Sequence, residues 1–302
     1  MGEFRYEGHR ISYDQYGSGK RLIVLVHGLL MNRHMFDRLG PELAERGNRV
    51  VTVDMLGHGR SDRPEDLRLY SMPLFARQVV ALLDHLEVED AVVGGTSLGS
   101  NIALELAVRY PDRARALFIE MPVLDNALSA VAGLFAPVLL GLKFGRPLFE
   151  GLSLATRAIP RTHPLLDIGL DWVRQRPGPS QAVFEGLLLG ETAPHREDRV
   201  KIEHPTLIVG HHRDPLHPFS DSGMLVEELP SARLVEANSI LEWRLNPERL
   251  NEELSEFLEE VWAPKLRAVA AGGARCHTSW PVSQTAGDKR VEREAEFSTI
   301  SG

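Results

Sequence analysis

Short apolar segments alternate with amphipathic segments along the first 120 residues, and this pattern is typical of strands that alternate with helices. The predicted strands are 4–6, 11–16, 22–26, 50–54, 91–94 and 116–120, and the predicted helices lie near 34–46, 72–86 and 98–110. The run from Leu22 to Val26 is apolar throughout, which predicts a strand covered by helices on both faces. The first two strands alternate polar and apolar residues instead, so we expect them at an exposed antiparallel edge.

The alternation stops between about residues 122 and 198, where the sequence predicts an inserted lid. We expect helices there that are broken by the prolines at 137, 147, 160, 164, 177 and 179. The strand and helix pattern then resumes, with strands at 206–210 and 233–236 and helices near 221–228 and 247–262. The chain is therefore predicted to have a core of residues 5–121 and 199–262, a helical lid of residues 122–198 and a disordered tail of residues 263–302.

The net charge and the cysteine content indicate which kinds of binding partner and which cellular compartment to expect. The 302-residue chain has a formal net charge of −8, which argues against nucleic acid or an anionic membrane surface as its main partner. Its single cysteine, Cys276, excludes an intramolecular disulfide and fits a reducing compartment. The first residues lack the apolar stretch of a signal peptide, and the uncharged run 126–142 falls short of a membrane span. We therefore expect a soluble, cytoplasmic protein with no membrane span.

Ser97 lies at the centre of a G-x-S-x-G motif with Gly95 and Gly99. An apolar run at 91–93 precedes the motif, and a helix-forming sequence at 101–107 follows it. A serine on a sharp turn between a strand and a helix is the arrangement of a nucleophile elbow, where side chains at the two glycines would collide with nearby backbone. Ser97 is therefore our candidate nucleophile.

Three further segments accompany this motif in order: His27 to Leu30, Asp54 to Asp62, and the strand from His204 to Gly210 with its following loop. Together with the elbow they resemble the α/β-hydrolase fold family across about residues 5–262. The resemblance implies a mostly parallel central sheet flanked by helices, with a helical lid insertion. It also implies acyl-transfer chemistry on a small substrate, with no cofactor and no metal. The lid is rich in Leu, Ala and Phe, so we expect an apolar acyl substrate.

The resemblance assigns further roles around Ser97. The backbone N–H groups of Leu29 and Leu98 would form the oxyanion hole, and Asp214 would be the catalytic acid. His27 and His58 are better interpreted as residues that hold their loops by hydrogen bonds. Adjacent side chains on an extended segment point to opposite faces, so we do not expect His211 and His212 to share a metal ion.

The chain departs from the family pattern at the general base, because the position of the expected histidine holds Ile240 and no histidine occurs between His217 and His277. His217, three residues after Asp214, is one candidate replacement. The other histidines considered are His163 and His195 in the lid and His277 in the tail. Glu242 is a candidate base that would need a raised pKa, and Glu120, at the end of a strand, is an alternative acid or base.

Three functions follow from these observations. The leading hypothesis is a serine-dependent hydrolase of a carboxylic ester or a related acyl compound. The alternative is a non-catalytic member of the family that binds a small apolar ligand, since the expected histidine is absent. Cofactor-free lyase or transferase chemistry in the same pocket is the third.

Overall fold

The computed structural model describes residues 1–264 except residues 161, 163 and 215. Most of the predicted disordered tail, with Cys276 and His277, lies outside the described residues, and so does His163 of the predicted lid. The division into core, lid and tail stays a prediction.

The described residues form an eight-stranded sheet in the order β1-β2-β4-β3-β5-β6-β7-β8. Strands β1 and β2 are antiparallel to their neighbours, and β3 to β8 are parallel, which confirms the predicted mostly parallel sheet with an antiparallel edge. The strands are β1 (Gly2–Tyr6), β2 (His9–Tyr16), β3 (Leu22–Val26), β4 (Arg49–Asp54), β5 (Ala91–Thr96), β6 (Ala114–Glu120), β7 (Thr206–His211) and β8 (Ala232–Ala237). All five residues of β3 are buried, as its uninterrupted apolar run predicts.

Helices cover both faces of the sheet. Helices α2 and α3 pack on one face in a core with Val24 and Ile119, and α1 and α11 pack on the other face with Ile23 and Phe118. The α-helices are α1 (Leu39–Glu45), α2 (Met72–His85), α3 (Leu98–Arg109), α4 (Leu128–Phe144), α5 (Arg146–Thr156), α6 (Pro164–Val173), α7 (Pro177–Leu188), α8 (Arg196–Arg199), α9 (Phe219–Glu228), α10 (Glu242–Leu245) and α11 (Glu248–Trp262), and 3-10 turns occur at Arg33–Phe36, Leu67–Leu69 and Pro111–Arg113.

The single helix predicted near 34–46 is divided in the structure. A 3-10 turn ends at Phe36, and α1 begins at Leu39. Pro41 explains the division, because a continuous helix would bring its ring against the carbonyl of the residue four positions earlier. In α1 the proline lies in the first turn, where it needs no hydrogen-bond donor.

Four longer helices, α4 to α7, and the short α8 lie between β6 and β7, in the segment predicted as a lid. The expected break at Pro137 is wrong, because this proline lies inside α4. The helix continues through it with Pro137 on an exposed face, while Phe135 packs against Phe184 of α7 with ring centroids 5.1 Å apart. None of the described helices is both long enough and apolar enough to span a bilayer.

The first turn of α3 crosses β3 at very short range. A Cβ atom placed on Gly99 would lie 2.0 Å from the carbonyl oxygen of Val26. Backbone on both sides leaves little room for adjustment, so this glycine is required by the close approach of helix and strand.

We expect Gly99→Ala to destabilise the fold by about 3 kcal/mol or more, since it forces a methyl group against buried backbone. Gly151→Ala in α5 is the matched control, because a Cβ there meets nothing within 4 Å, and it should leave stability unchanged or raise it by up to about 1 kcal/mol. Urea unfolding followed by circular dichroism measures both. Equal stability of the two variants would contradict the packing argument.

Candidate active site

Ser97 occupies the turn between β5 and α3 with φ 54° and ψ −105°. A positive φ is unfavourable for a residue with a side chain, and neighbouring groups hold the turn. The Ser97 N–H donates to the Glu120 carbonyl oxygen at 2.8 Å. Ser100 Oγ lies 2.7 Å from the carbonyl oxygens of both Gly95 and Glu120, which share its one hydrogen. The motif therefore adopts the strained strand–turn–helix geometry that the sequence predicts.

His217 and Asp214, on the loop after β7, extend a chain of hydrogen bonds from Ser97. His217 Nε2 lies 2.9 Å from Ser97 Oγ, and His217 Nδ1 lies 2.8 Å from Asp214 Oδ2. An ionised carboxylate can only accept, so Nδ1 carries the hydrogen and Nε2 of the neutral ring is free to accept from the hydroxyl. The structure thus brings together Ser97, His217 and Asp214.

Asp214 shapes the turn that carries His217. Its Oδ1 accepts the backbone N–H groups of Leu216 and His217, at 2.8 and 3.0 Å. Burial alone would raise the pKa of Asp214, but the hydrogen bonds from His217 and from these N–H groups outweigh it and lower the pKa. The carboxylate is therefore ionised at neutral pH and faces the imidazole as an anion.

Leu29 and Leu98, the residues predicted to form the oxyanion hole, line the same pocket as Ser97. Leu98 begins α3, and backbone N–H groups in the first turn of a helix have no acceptor within the helix. Leu29 follows Gly28, where a Cβ would lie 4.0 Å from Ser97 Cβ. Both residues line the pocket that contains Ser97 and His217.

His27 and His58 hold backbone, as the sequence predicts. His27 Nδ1 donates to the Gly28 carbonyl oxygen at 2.8 Å, and its Nε2 accepts the Met55 N–H at 3.2 Å. His58 Nδ1 lies 3.0 Å from the Leu56 carbonyl oxygen. Both rings are fully buried, and burial lowers the pKa of each, that of His58 well below its ordinary range. Both are therefore neutral at pH 7.

The pocket over Ser97 is mainly apolar and contains about 550 Å³ of empty space, part of it open to solvent. Helices α4 and α7 contribute Phe135 and Phe184. Asn101 also lines the pocket, but its amide is bonded to backbone of Val123 and Thr192. The lining residues are Leu29, Met72, Ser97, Leu98, Asn101, Val123, Phe135, Phe184, Leu187, Leu188, Thr192, Leu216 and His217. This list contains no Asp, Glu, Lys or Arg.

Two of the other candidate bases have different partners. The Glu242 carboxylate accepts hydrogen bonds from Asn238 and Arg249. Burial would raise the pKa of Glu242, but these contacts lower it, which is the opposite of what a general base needs. His195 is an exposed residue whose Nε2 lies 2.8 Å from Glu191. Ile240, at the position expected for the histidine, is 39% exposed.

Glu120, named from the sequence as an alternative acid or base, lies beneath the elbow among buried partners that sequence reasoning missed. Its carboxylate accepts a hydrogen bond from Thr96 Oγ1, and Arg244 Nη2 lies 3.4 Å from Oε2. His211 Nε2 lies 3.6 Å from Oε1. The only sequence signal was that Glu120 and His211 end neighbouring parallel strands.

His211 and His212 face opposite ways, as predicted. The His211 ring is buried, whereas His212 is exposed and stacks on Phe219 at 3.9 Å. Across the described part of the chain, no group of three or more His, Cys, Asp or Glu side chains is placed to hold a metal ion.

Comparison with known proteins agrees with the fold described above. A family model described as the alpha/beta hydrolase fold matches residues 21–144. The chain is 32% identical to 2-hydroxymuconate semialdehyde hydrolase of Pseudomonas sp. strain CF600, over 64% of this chain and 69% of the relative. It is also 32% identical to the pimeloyl-[acyl-carrier protein] methyl ester esterase of Aeromonas hydrophila, over 74% and 89%.

A solved structure with the same fold is the enol-lactonase from Burkholderia xenovorans LB400. Its TM-score to this chain is 0.70 at 20% sequence identity, and the match covers 85% of this chain and 99% of the lactonase. At this level of sequence identity, the similarity shows that the two proteins share a fold and nothing more.

The lowered pKa of His58 predicts acid destabilisation. Below about pH 6.5 the unfolded chain binds a proton at this histidine that the folded chain does not, so the free energy of unfolding falls with pH by up to about 1.4 kcal/mol per pH unit. His58→Asn removes this contribution and should flatten the dependence between about pH 6.5 and pH 5. The measurement is urea unfolding across this range. His195→Asn, at an exposed position, should keep the wild-type slope, and parallel curves for all three proteins would contradict the interpretation.

Proposed function

This chain belongs to the α/β-hydrolase family and is a hydrolase, and from that premise we propose that it cleaves carboxylic esters or related acyl compounds through Ser97. The observation that carries the proposal is the continuous hydrogen-bonded chain from Ser97 Oγ through His217 to Asp214. A serine hydroxyl becomes an effective nucleophile when a base accepts its proton. His217 supplies that base from the loop after β7.

The geometry supports a two-step acyl transfer. Ser97 Oγ attacks the carbonyl carbon while its proton passes to His217 Nε2, and Asp214 stabilises the imidazolium. The backbone N–H groups of Leu29 and Leu98 donate to the oxyanion of the tetrahedral intermediate. The intermediate then collapses, and the leaving alkoxide takes the proton from His217, which leaves an acyl group on Ser97.

Water completes the reaction. His217 Nε2 removes a proton from a water molecule, whose oxygen attacks the acyl carbon. Collapse of the second tetrahedral intermediate returns this proton to Ser97 Oγ and releases the carboxylic acid. These two steps use water as the only co-reactant and need no cofactor or metal.

The pocket favours an apolar acyl group. With no charged side chain in its lining, it would leave a charged acyl group without a partner, and burial of an unpaired charge is costly. The helices between β6 and β7 act as the lid in this proposal, because α4 and α7 contribute Phe135 and Phe184 to the lining of the pocket. The single cysteine fits a cytoplasmic location.

The alternative function, binding of an apolar ligand without turnover, rests on Ile240 at the expected position of the base. It predicts ligand binding that persists in Ser97→Ala and no ester hydrolysis above background.

We expect a fluorophosphonate probe to modify Ser97 rapidly, and Ser97→Ala to abolish both labelling and turnover of short aryl esters. The physical reason is that only an activated hydroxyl attacks the probe at an appreciable rate. Mass spectrometry of the labelled peptide identifies the residue, with Ser18→Ala, at an exposed position, as the control. Absence of labelling in folded protein would favour the binding function.

We expect His217→Ala to lower kcat by about 10³-fold or more, since the variant lacks the base that accepts the Ser97 proton. His195→Ala is the control and should keep wild-type kcat. Steady-state kinetics on a short aryl ester gives both values. If His217→Ala retained most of the activity, another residue would be the base.

A further inference from the structure

Glu120 is a buried carboxylate at the carboxyl end of β6 that the proposed reaction does not use. Its side chain is 2% exposed. Burial alone would raise its pKa, but Arg244, His211 and Thr96 lower the pKa to about 2. The carboxylate is therefore ionised across the pH range in which the protein is folded. Because it is buried, its charge is balanced by these side chains and not by water.

One side of Glu120 is bound to the nucleophile elbow. The Thr96 hydroxyl donates to its carboxylate, and the Ser97 N–H donates to its carbonyl oxygen. Its own N–H donates to Ser100 Oγ at 2.9 Å. Thr96, Ser97 and Ser100, which precede, occupy and follow the turn, are thus all hydrogen-bonded to Glu120.

The other side of Glu120 faces the strand from which the base-bearing loop begins. His211, the last residue of β7, places Nε2 3.6 Å from the carboxylate and Nδ1 3.1 Å from the Ser239 carbonyl oxygen. His211 precedes Asp214 by three residues and His217 by six. The carboxylate therefore lies between the elbow that carries Ser97 and the first residue of the loop that carries His217.

Arg244 closes the cluster from α10, the short helix that follows β8. Its Nη2 lies 3.4 Å from Glu120 Oε2, and its side chain is 15% exposed. One anion thus faces two basic side chains, His211 and Arg244, on two different elements. Arg244 donates a hydrogen bond to the carboxylate, and hydrogen bonds to a charged group are stronger than neutral ones. His211, at 3.6 Å, is held by the attraction of opposite charges, so the anion draws both elements towards the elbow.

We infer that Glu120 is the positioning residue that sets the distance between Ser97 and His217, because it holds both the elbow and the start of the base-bearing loop. The inference rests on the proposed function. Glu120 touches neither reacting atom and acts through Thr96 and His211. A displacement of about 1 Å between reacting groups can cost about 10²-fold in rate, so loss of this anchor should appear in the chemical step.

The test compares Glu120→Gln with Glu228→Gln. Glu228 is an equally buried carboxylate, 2% exposed, and is paired with Arg199 at 2.7 Å, but its partners lie outside the elbow. Steady-state kinetics on a short aryl ester gives kcat and KM, the rate of fluorophosphonate labelling reports the reactivity of Ser97, and thermal unfolding reports stability. Glu120→Gln should lower kcat and labelling by about tenfold or more with KM within about twofold, whereas Glu228→Gln should keep wild-type kcat.

A second pair of variants tests the contact with the elbow without changing charge. Thr96→Val removes the hydroxyl that donates to Glu120 and should lower kcat several-fold. Thr96→Ser keeps the hydroxyl and should retain wild-type kcat. This pair also carries the test if Glu120→Gln does not fold.

The outcomes separate the two proposals. If wild-type protein labels at Ser97 but Glu120→Gln or Thr96→Val keeps wild-type kcat, the positioning role is wrong and the proposed function stands. A loss of kcat in Glu228→Gln equal to that in Glu120→Gln would also overturn the role, since burial of a paired carboxylate would then suffice. Wild-type protein that neither labels nor turns over esters would overturn both.

Discussion

The sharp turn at Ser97 is the constraint around which the rest of the candidate site is arranged. Its positive φ is unfavourable for serine and persists only where the surroundings determine the backbone. Gly99 allows α3 to approach the Val26 carbonyl oxygen, and the Ser97 N–H is bound to Glu120. Because backbone from β3 and β6 holds the turn, the hydroxyl points to the edge of the sheet where the loops after β3 and β7 meet.

The position of His217 follows from local chemistry in one of these loops. Asp214 accepts two backbone N–H groups within three residues and binds the His217 ring with its other oxygen. The proposed acid, Asp214, therefore determines where the imidazole of the proposed base, His217, lies. Because the proposed base follows β7, the segment after β8 makes other contacts: the Ser239 carbonyl oxygen lies 3.1 Å from His211 Nδ1, and Arg244 of α10 faces Glu120.

The features that could be predicted from the sequence are those that depend on residues close together in the chain. Apolar periodicity identified the parallel sheet, and the spacing of glycines around Ser97 identified the elbow, because both depend on nearby residues. The missing histidine at Ile240 was also visible. The choice among His217, His195 and Glu242 was not, since it depends on contacts between distant parts of the chain: 120 residues separate His217 from Ser97. The cluster of Thr96, His211 and Arg244 was missed for the same reason.

The buried charges around Glu120 contribute more to geometry than to stability. The free-energy cost of removing a carboxylate and its cationic partners from water offsets most of their mutual attraction. A fold with apolar side chains of similar volume in their place is therefore often equally stable. Apolar packing has little directionality, however, whereas a carboxylate that accepts hydrogen bonds from Thr96 and Arg244 fixes the orientation of both donors. An ionised group at this place is better explained by the precision that the proposed acyl transfer demands of Ser97 and His217 than by the stability of the fold.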